Sequence, residues 1–187
     1  MIELKRKTKE TDIVVRVDID GKGDFNIDTG IGFFDHMLSA LSKHSGIDLM
    51  VKAKGDLEVD FHHTVEDVGI VLGQAVKQSL EGRSFARFGW AIVPMDDALI
   101  LSSVDICNRF YLNFDARLTG NIGSFDSELI EEFFRAFAFN GGMVLHIKQL
   151  SGANKHHIAE AIFKSTAHSL KAALKSTDET PSTKGIL

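Results

Sequence analysis

Between residues 11 and 20 the chain reads TDIVVRVDID, and Ile13, Val15, Val17 and Ile19 alternate with polar positions. Period-two alternation predicts a strand with one buried face. The following DGKGD reads as a turn. FFDHMLSALSKH changes the period: Phe34, Leu38 and Leu41 share a helical face, and the helix should stop near Ser45 and Gly46, where glycine supplies a C-cap. IDLMVKAKG and DLEVDF look like strands. From Thr64, Val65, Val68, Leu72, Val76 and Leu80 form one helical stripe ahead of Gly82.

The second half repeats this order. WAIVPMDDALILSSVDI and NRFYLNFDA are strand-like, with a turn near Pro94. SELIEEFFRAFAF is a helix stopped by Asn140, Gly141 and Gly142. MVLHIKQ is a strand, and HHIAEAIFKSTAHSLKAAL is a second long helix. HHTVED and HHIAEA each place two histidines, then a glutamate three residues after the second, at the head of a long helix. Matching motifs in matching positions point to duplication. The expected fold is α+β: two similar halves (about residues 1–88 and 89–187), each an antiparallel sheet with two helices on one face, related by a pseudo-twofold axis. A polar tail, residues 175–187, lies beyond the last helix.

Composition narrows the class. At 187 residues the chain suits one domain, or two small halves sharing a core, and its 44% hydrophobic and 25% charged content is that of a soluble globular protein. A net charge of −5 argues against a nucleic-acid partner. The single cysteine, Cys107, excludes an internal disulfide and suits a reducing compartment. No apolar run approaches the roughly 18 residues of a membrane span. The start, MIELKRKTKETD, is too charged for a signal peptide, so a cytoplasmic location is expected.

The histidines carry the chemistry. Residues i and i+4 share a helix face, so His62 with Glu66, and His156 with Glu160, can each grip one ion. His63 and His157 sit about 100° further round and face something else. A twofold-related helix pair, or a contact between subunits, would let each motif give one His and its Glu to one metal and its other His to a second. Imidazole and carboxylate together suit Mn, Fe, Co, Ni or Zn, with positions left open for substrate. His36 and His146 precede the two motifs and could complete about four ligands per ion. A lone motif of this kind is more often a solvated helix start, since the helix dipole favours glutamate in a first turn, and it is the repetition that argues for metal. His44 lies at a helix C-terminus, and His168 far along its helix reads as structural or exposed. Asp35 and Asp97 read as orienting or capping groups.

Taken together, RKTKETDI, DTGIGFFDHML, DFHHTVEDVGIVLGQA, RFG, PMDDAL, LHI, GANKHHIAEAIFKS and PSTKGIL span nearly the whole chain. This set resembles the imidazoleglycerol-phosphate dehydratase family. The resemblance implies a duplicated fold of the ribosomal-protein-S5-domain-2 type, two Mn2+ ions per active site, and self-association into a cage of twenty-four subunits with sites built between them. It implies a small-molecule phosphate substrate, imidazole-glycerol phosphate, dehydrated to imidazole-acetol phosphate in histidine biosynthesis through a dimetal-stabilised imidazolate and a diazafulvene. Ala40 stands where many relatives carry glutamine. A phosphatase domain fused to some relatives has no counterpart here, so one activity is expected.

The resemblance also assigns roles. Glu10 would be the acid/base and touch substrate. Arg87, Arg109, Ser182, Thr183 and Lys184 would grip the phosphate, as guanidinium forks and tail hydroxyls can. His44 and Lys164 would also reach substrate. By themselves, Glu10, Arg87 and Arg109 are ordinary surface charges. Two other readings of the metal motifs exist: a dinuclear phosphate-ester hydrolase, which would release phosphate, and a non-catalytic metal-binding assembly protein, which would tolerate Glu10→Gln.

Overall fold

Ile13, Val15 and Val17 are fully buried, and the strand they form is central to the first of two matching sheets. The computed structural model describes residues 1–183, and among these the chain forms ten strands and four helices. In the first half β1 (Ile2–Lys7), β2 (Thr11–Asp18), β3 (Phe25–Asp28), α1 (Gly32–Ser45), β4 (Asp48–Gly55) and α2 (His62–Ser79) follow one another. The second half runs β5 (Phe88–Met95), β6 (Ala98–Ile106), β7 (Tyr111–Asp115), a short β8 (Asn121–Ile122) and β9 (Phe125–Asp126) hairpin, α3 (Glu128–Gly141), β10 (Met143–Ser151) and α4 (Lys155–Ala173).

The sheets have orders β1-β2-β4-β3 and β5-β6-β10-β7, so the two halves match strand for strand. Neither is purely antiparallel. β3 pairs parallel with β4, and β7 with β10. The reason is connectivity: α1 and α3 each carry the chain back across the sheet, and a crossover helix joins parallel neighbours. DLEVDF, expected as a strand, forms the turn into α2, while the charged N-terminus supplies the edge strand β1, with Ile2 and Leu4 packed on the core.

The halves interlock through their helices. α2 packs on α3, and α1 on α4. Gly73 permits the first approach, because a Cβ there would lie 2.4 Å from the Phe137 carbonyl oxygen. Phe34, Phe125, Phe133, Phe134, Phe137 and Phe163 are all fully buried and knit the halves into one continuous core. α1 and α3 each span 14 residues and end before a left-handed glycine, Gly46 at φ 80° and Gly142 at φ 62°. These caps fix the correspondence of the two helices, so His36, fifth in α1, matches Glu132, fifth in α3. No helix among the described residues is long and apolar enough to cross a membrane.

Candidate metal centre

The head of α4 is shaped by Asn154, whose side chain accepts hydrogen bonds from the backbone N–H of His156 and His157. One turn on, the buried Glu160 turns Oε2 toward two imidazoles: His156 Nε2 at 3.3 Å, and His36 Nε2 of α1 at 3.6 Å. The ligand atoms of these three residues lie within 4.8 Å of one another. Lys164 Nζ sits 2.7 Å from the other oxygen, Oε1. Burial works to raise the Glu160 pKa, but the Lys164 hydrogen bond and charge, aided by His36 and His156, hold it below 4.5. Two imidazole nitrogens and a carboxylate, without sulfur, form a donor set that fits a divalent transition metal.

The first half repeats the construction less tightly. His62 Nε2 lies 3.8 Å from Glu66 Oε2 across one turn of α2. Facing them from α3 is Glu132, the counterpart of His36. It borders a cleft of about 490 Å³ with His62, and a neighbouring cleft with Glu66. Glu132 escaped the sequence reading, which sought a histidine. The signal was its place in a helix of matching length and matching glycine cap.

His146 was expected to complete a ligand set, and the structure does not bring it there. Its neighbours Leu145 and Ile147 are fully buried, so strand alternation turns His146 to the outer sheet face, where its ring lies 5.5 Å from that of Tyr111.

The second histidine of each motif is held by a carboxylate. His63 Nδ1 lies 3.0 Å from Asp56, and this hydrogen bond raises the imidazole pKa. His157 Nδ1 lies 2.7 Å from Asp97. Asp97 also accepts from the backbone N–H of Ala153 and Asn154; Ala153, His157 and Asn154 together hold it far below the usual carboxylate range. Nδ1 is thereby occupied, which turns Nε2 toward the surface. The matching β1–β2 and β5–β6 turns each bring another carboxylate there: Glu10 at 3.9 Å from His63 Nε2, and Asp96 at 3.2 Å from His157 Nε2. Asp35 serves instead as a local brace, accepting from the N–H and hydroxyl of Thr29.

Basic side chains follow α1 and α4 away from Glu160. The His44 ring lies 5.3 Å from that of His168, which is exposed. Burial, and then the charge of Lys164, lower the His44 pKa. The remaining residues expected at the phosphate cluster elsewhere. Arg87 bonds Asp105 with Nε at 2.7 Å, Arg109 approaches the same carboxylate at 3.7 Å, and Arg87 also donates to the Pro181 carbonyl at 2.8 Å, tethering the tail that carries Ser182 and Thr183. Lys184 lies outside the described residues. Asp105 lies eight positions beyond Asp97 along β6, and at about 3.3 Å per residue this spans roughly 26 Å.

Comparison with known proteins places the chain in a family. The imidazoleglycerol-phosphate dehydratase family model matches residues 29–170. The chain is 56% identical over 190 residues to the imidazoleglycerol-phosphate dehydratase of Acetivibrio thermocellus, covering 99% of this chain and 97% of that protein. It is 57% identical to that of Caldanaerobacter subterraneus, with 99% and 98% covered. A crystal structure of the Pyrococcus furiosus enzyme superposes with a TM-score of 0.88 at 43% identity, over 98% of this chain and all of that one. The Staphylococcus aureus structure gives 0.84 at 38% identity, over 95% of this chain and all of that one.

Proposed function

This chain belongs to the imidazoleglycerol-phosphate dehydratase family, hydro-lyases of histidine biosynthesis, and we propose that its two histidine clusters hold two Mn2+ ions about the azole ring of imidazole-glycerol phosphate. The observation that carries this reading is the convergence of His36, His156 and Glu160. We assign these three to one ion and His62, Glu66 and Glu132 to the other, with His63 and His157 each given to an ion held mainly by another copy.

Held by these residues, the ions would supply stabilisation of negative charge on the ring and so ease loss of a hydroxyl from the adjacent carbon. The chain's own groups do the rest. Glu10 moves the protons: it hands one to the departing hydroxyl and takes one from the next carbon, and the resulting enol becomes the ketone. Lys164 and His44 reach the phosphate from the side of the metal cluster. Arg87, Arg109, Ser182, Thr183 and Lys184 grip it from a neighbouring chain.

Assembly between copies rests on three observations. A span of roughly 26 Å along β6 is too long for one small substrate to bridge within a chain. Phe33 and Phe61 both pack on Phe125, at 5.1 and 6.4 Å, placing a wedge of rings between the two clusters of one chain. The outer face of β5 exposes Phe88, Trp90 and Ile92, an apolar surface suited to a second copy. A closed cage of twenty-four subunits in the cytoplasm is the assembly we propose. The test is turnover: manganese-loaded protein should convert imidazole-glycerol phosphate to the ketone without releasing inorganic phosphate. Free phosphate would indicate a hydrolase instead, and no reaction would refute the assignment.

A further inference from the structure

The turn that carries Glu10 is tied to α2 by a route that avoids the metal ligands. Thr8 and Thr11 close the turn: Thr8 Oγ1 accepts from the backbone N–H of Glu10 at 3.1 Å and of Thr11 at 2.9 Å. The two hydroxyls lie 3.1 Å apart. Thr11 Oγ1 donates to Asp67 Oδ2, and Arg6 Nε donates to Asp67 Oδ1 at 2.7 Å. Asp67 and Thr11 are buried, with 6% and 4% exposed.

The direction of these bonds follows from the inventory of donors. Paired with Arg6, the Asp67 carboxylate only accepts, so the Thr11 proton is committed to it. Thr8 Oγ1 already accepts twice, so its proton goes to Thr11. Asp67 thus orients Thr11, Thr11 orients Thr8, and Thr8 holds the backbone of Glu10.

We propose that Asp67, acting through Thr11 and Thr8, is a positioning residue that sets the Glu10 carboxylate beside His63 for proton transfer. The proposal rests on the reading of Glu10 as the acid/base. It explains a buried acid on α2 that faces β1 and β2 and not the ions. Misplacing a reacting group by an ångström can cost up to about a hundredfold in rate.

A double-mutant cycle in the full-length, manganese-loaded assembly tests it, using Thr11→Val, Glu10→Gln and the pair together. Thr11→Val should lower kcat roughly ten- to a hundredfold, with KM within about twofold and manganese content unchanged. Thr11→Ser, which keeps the hydroxyl, should restore kcat. In the Glu10→Gln background, Thr11→Val should change kcat by less than about twofold. An equal loss in both backgrounds would show that Thr11 acts independently of Glu10 and overturn the proposal, as would an unchanged kcat in Thr11→Val alone. A wild-type kcat in Glu10→Gln would overturn the acid/base reading itself, a separate failure that the cycle reveals directly.

Discussion

Lys164 Nζ holds one oxygen of Glu160 at 2.7 Å, which leaves the other oxygen to face His36 and His156. A neutral Glu160 would lose both sets of partners. Because its folded pKa is depressed below 4.5, its contribution to stability is present above the unfolded value and is lost as pH falls through the folded one. In metal-free protein, the melting temperature of wild type should therefore fall more steeply than that of Glu160→Gln as pH drops from about 5 to about 3. Parallel curves in thermal unfolding would remove Glu160 as the source.

Pseudo-symmetry makes a sharper demand on Glu132. Glu132→Ala should abolish one of the two classes of manganese site and roughly halve the metal bound per chain, while the His36 cluster keeps its ion. Glu132→His, which copies His36, should retain both. Manganese titration followed by metal analysis reads the outcome, and two full classes in Glu132→Ala would dismiss it as a ligand.

The contrast between Glu132 and His146 shows what the sequence could carry. Histidine pairs at the heads of α2 and α4 were legible because helix spacing places i and i+4 on one face. His146 lay in a strand, where the neighbouring Leu145 and Ile147 already dictated an outward ring; its closeness in sequence to the second motif was misleading. Glu132 was hidden because helices conceal which surface residues meet a partner helix until the pairing of α2 with α3 is known. The parallel edge strands were missed for a related reason. Alternation reports a buried face, while strand direction depends on the crossover that follows. Asp97 was legible as an orienting or capping group, and its contacts with His157, Ala153 and Asn154 make it one. Asp56 was not, because its contact with His63 crosses between elements, beyond the reach of local pattern.

Asp97 offers a test of that outer layer. It fixes the His157 ring and closes the loop before α4 through Ala153 and Asn154. Asp97→Ala should weaken manganese binding at one site class by about 10- to 100-fold, as is usual when the partner of a metal-ligating imidazole is removed. Isothermal titration would show the loss, and unchanged affinity would mean that His157 serves no ion.

The separation of phosphate arm and metal cluster has its own consequence for mixed assemblies. His156→Ala removes a ligand at one end of the chain, and Arg109→Ala removes a phosphate contact at the other. Arg109 is the better choice than Arg87, because Arg87 sits at φ 71° and tethers Pro181, so replacing it would disturb the fold as well. Each variant alone should be nearly inactive. Co-assembled in equal amounts, a site drawing its cluster from an Arg109→Ala chain and its arm from a His156→Ala chain would be intact at both. Random mixing in a closed symmetric assembly makes such sites roughly a quarter of the total, so about a quarter of wild-type kcat should return. If one chain supplied both cluster and arm, every site would carry one lesion or the other, and the mixture would stay as inactive as its parts.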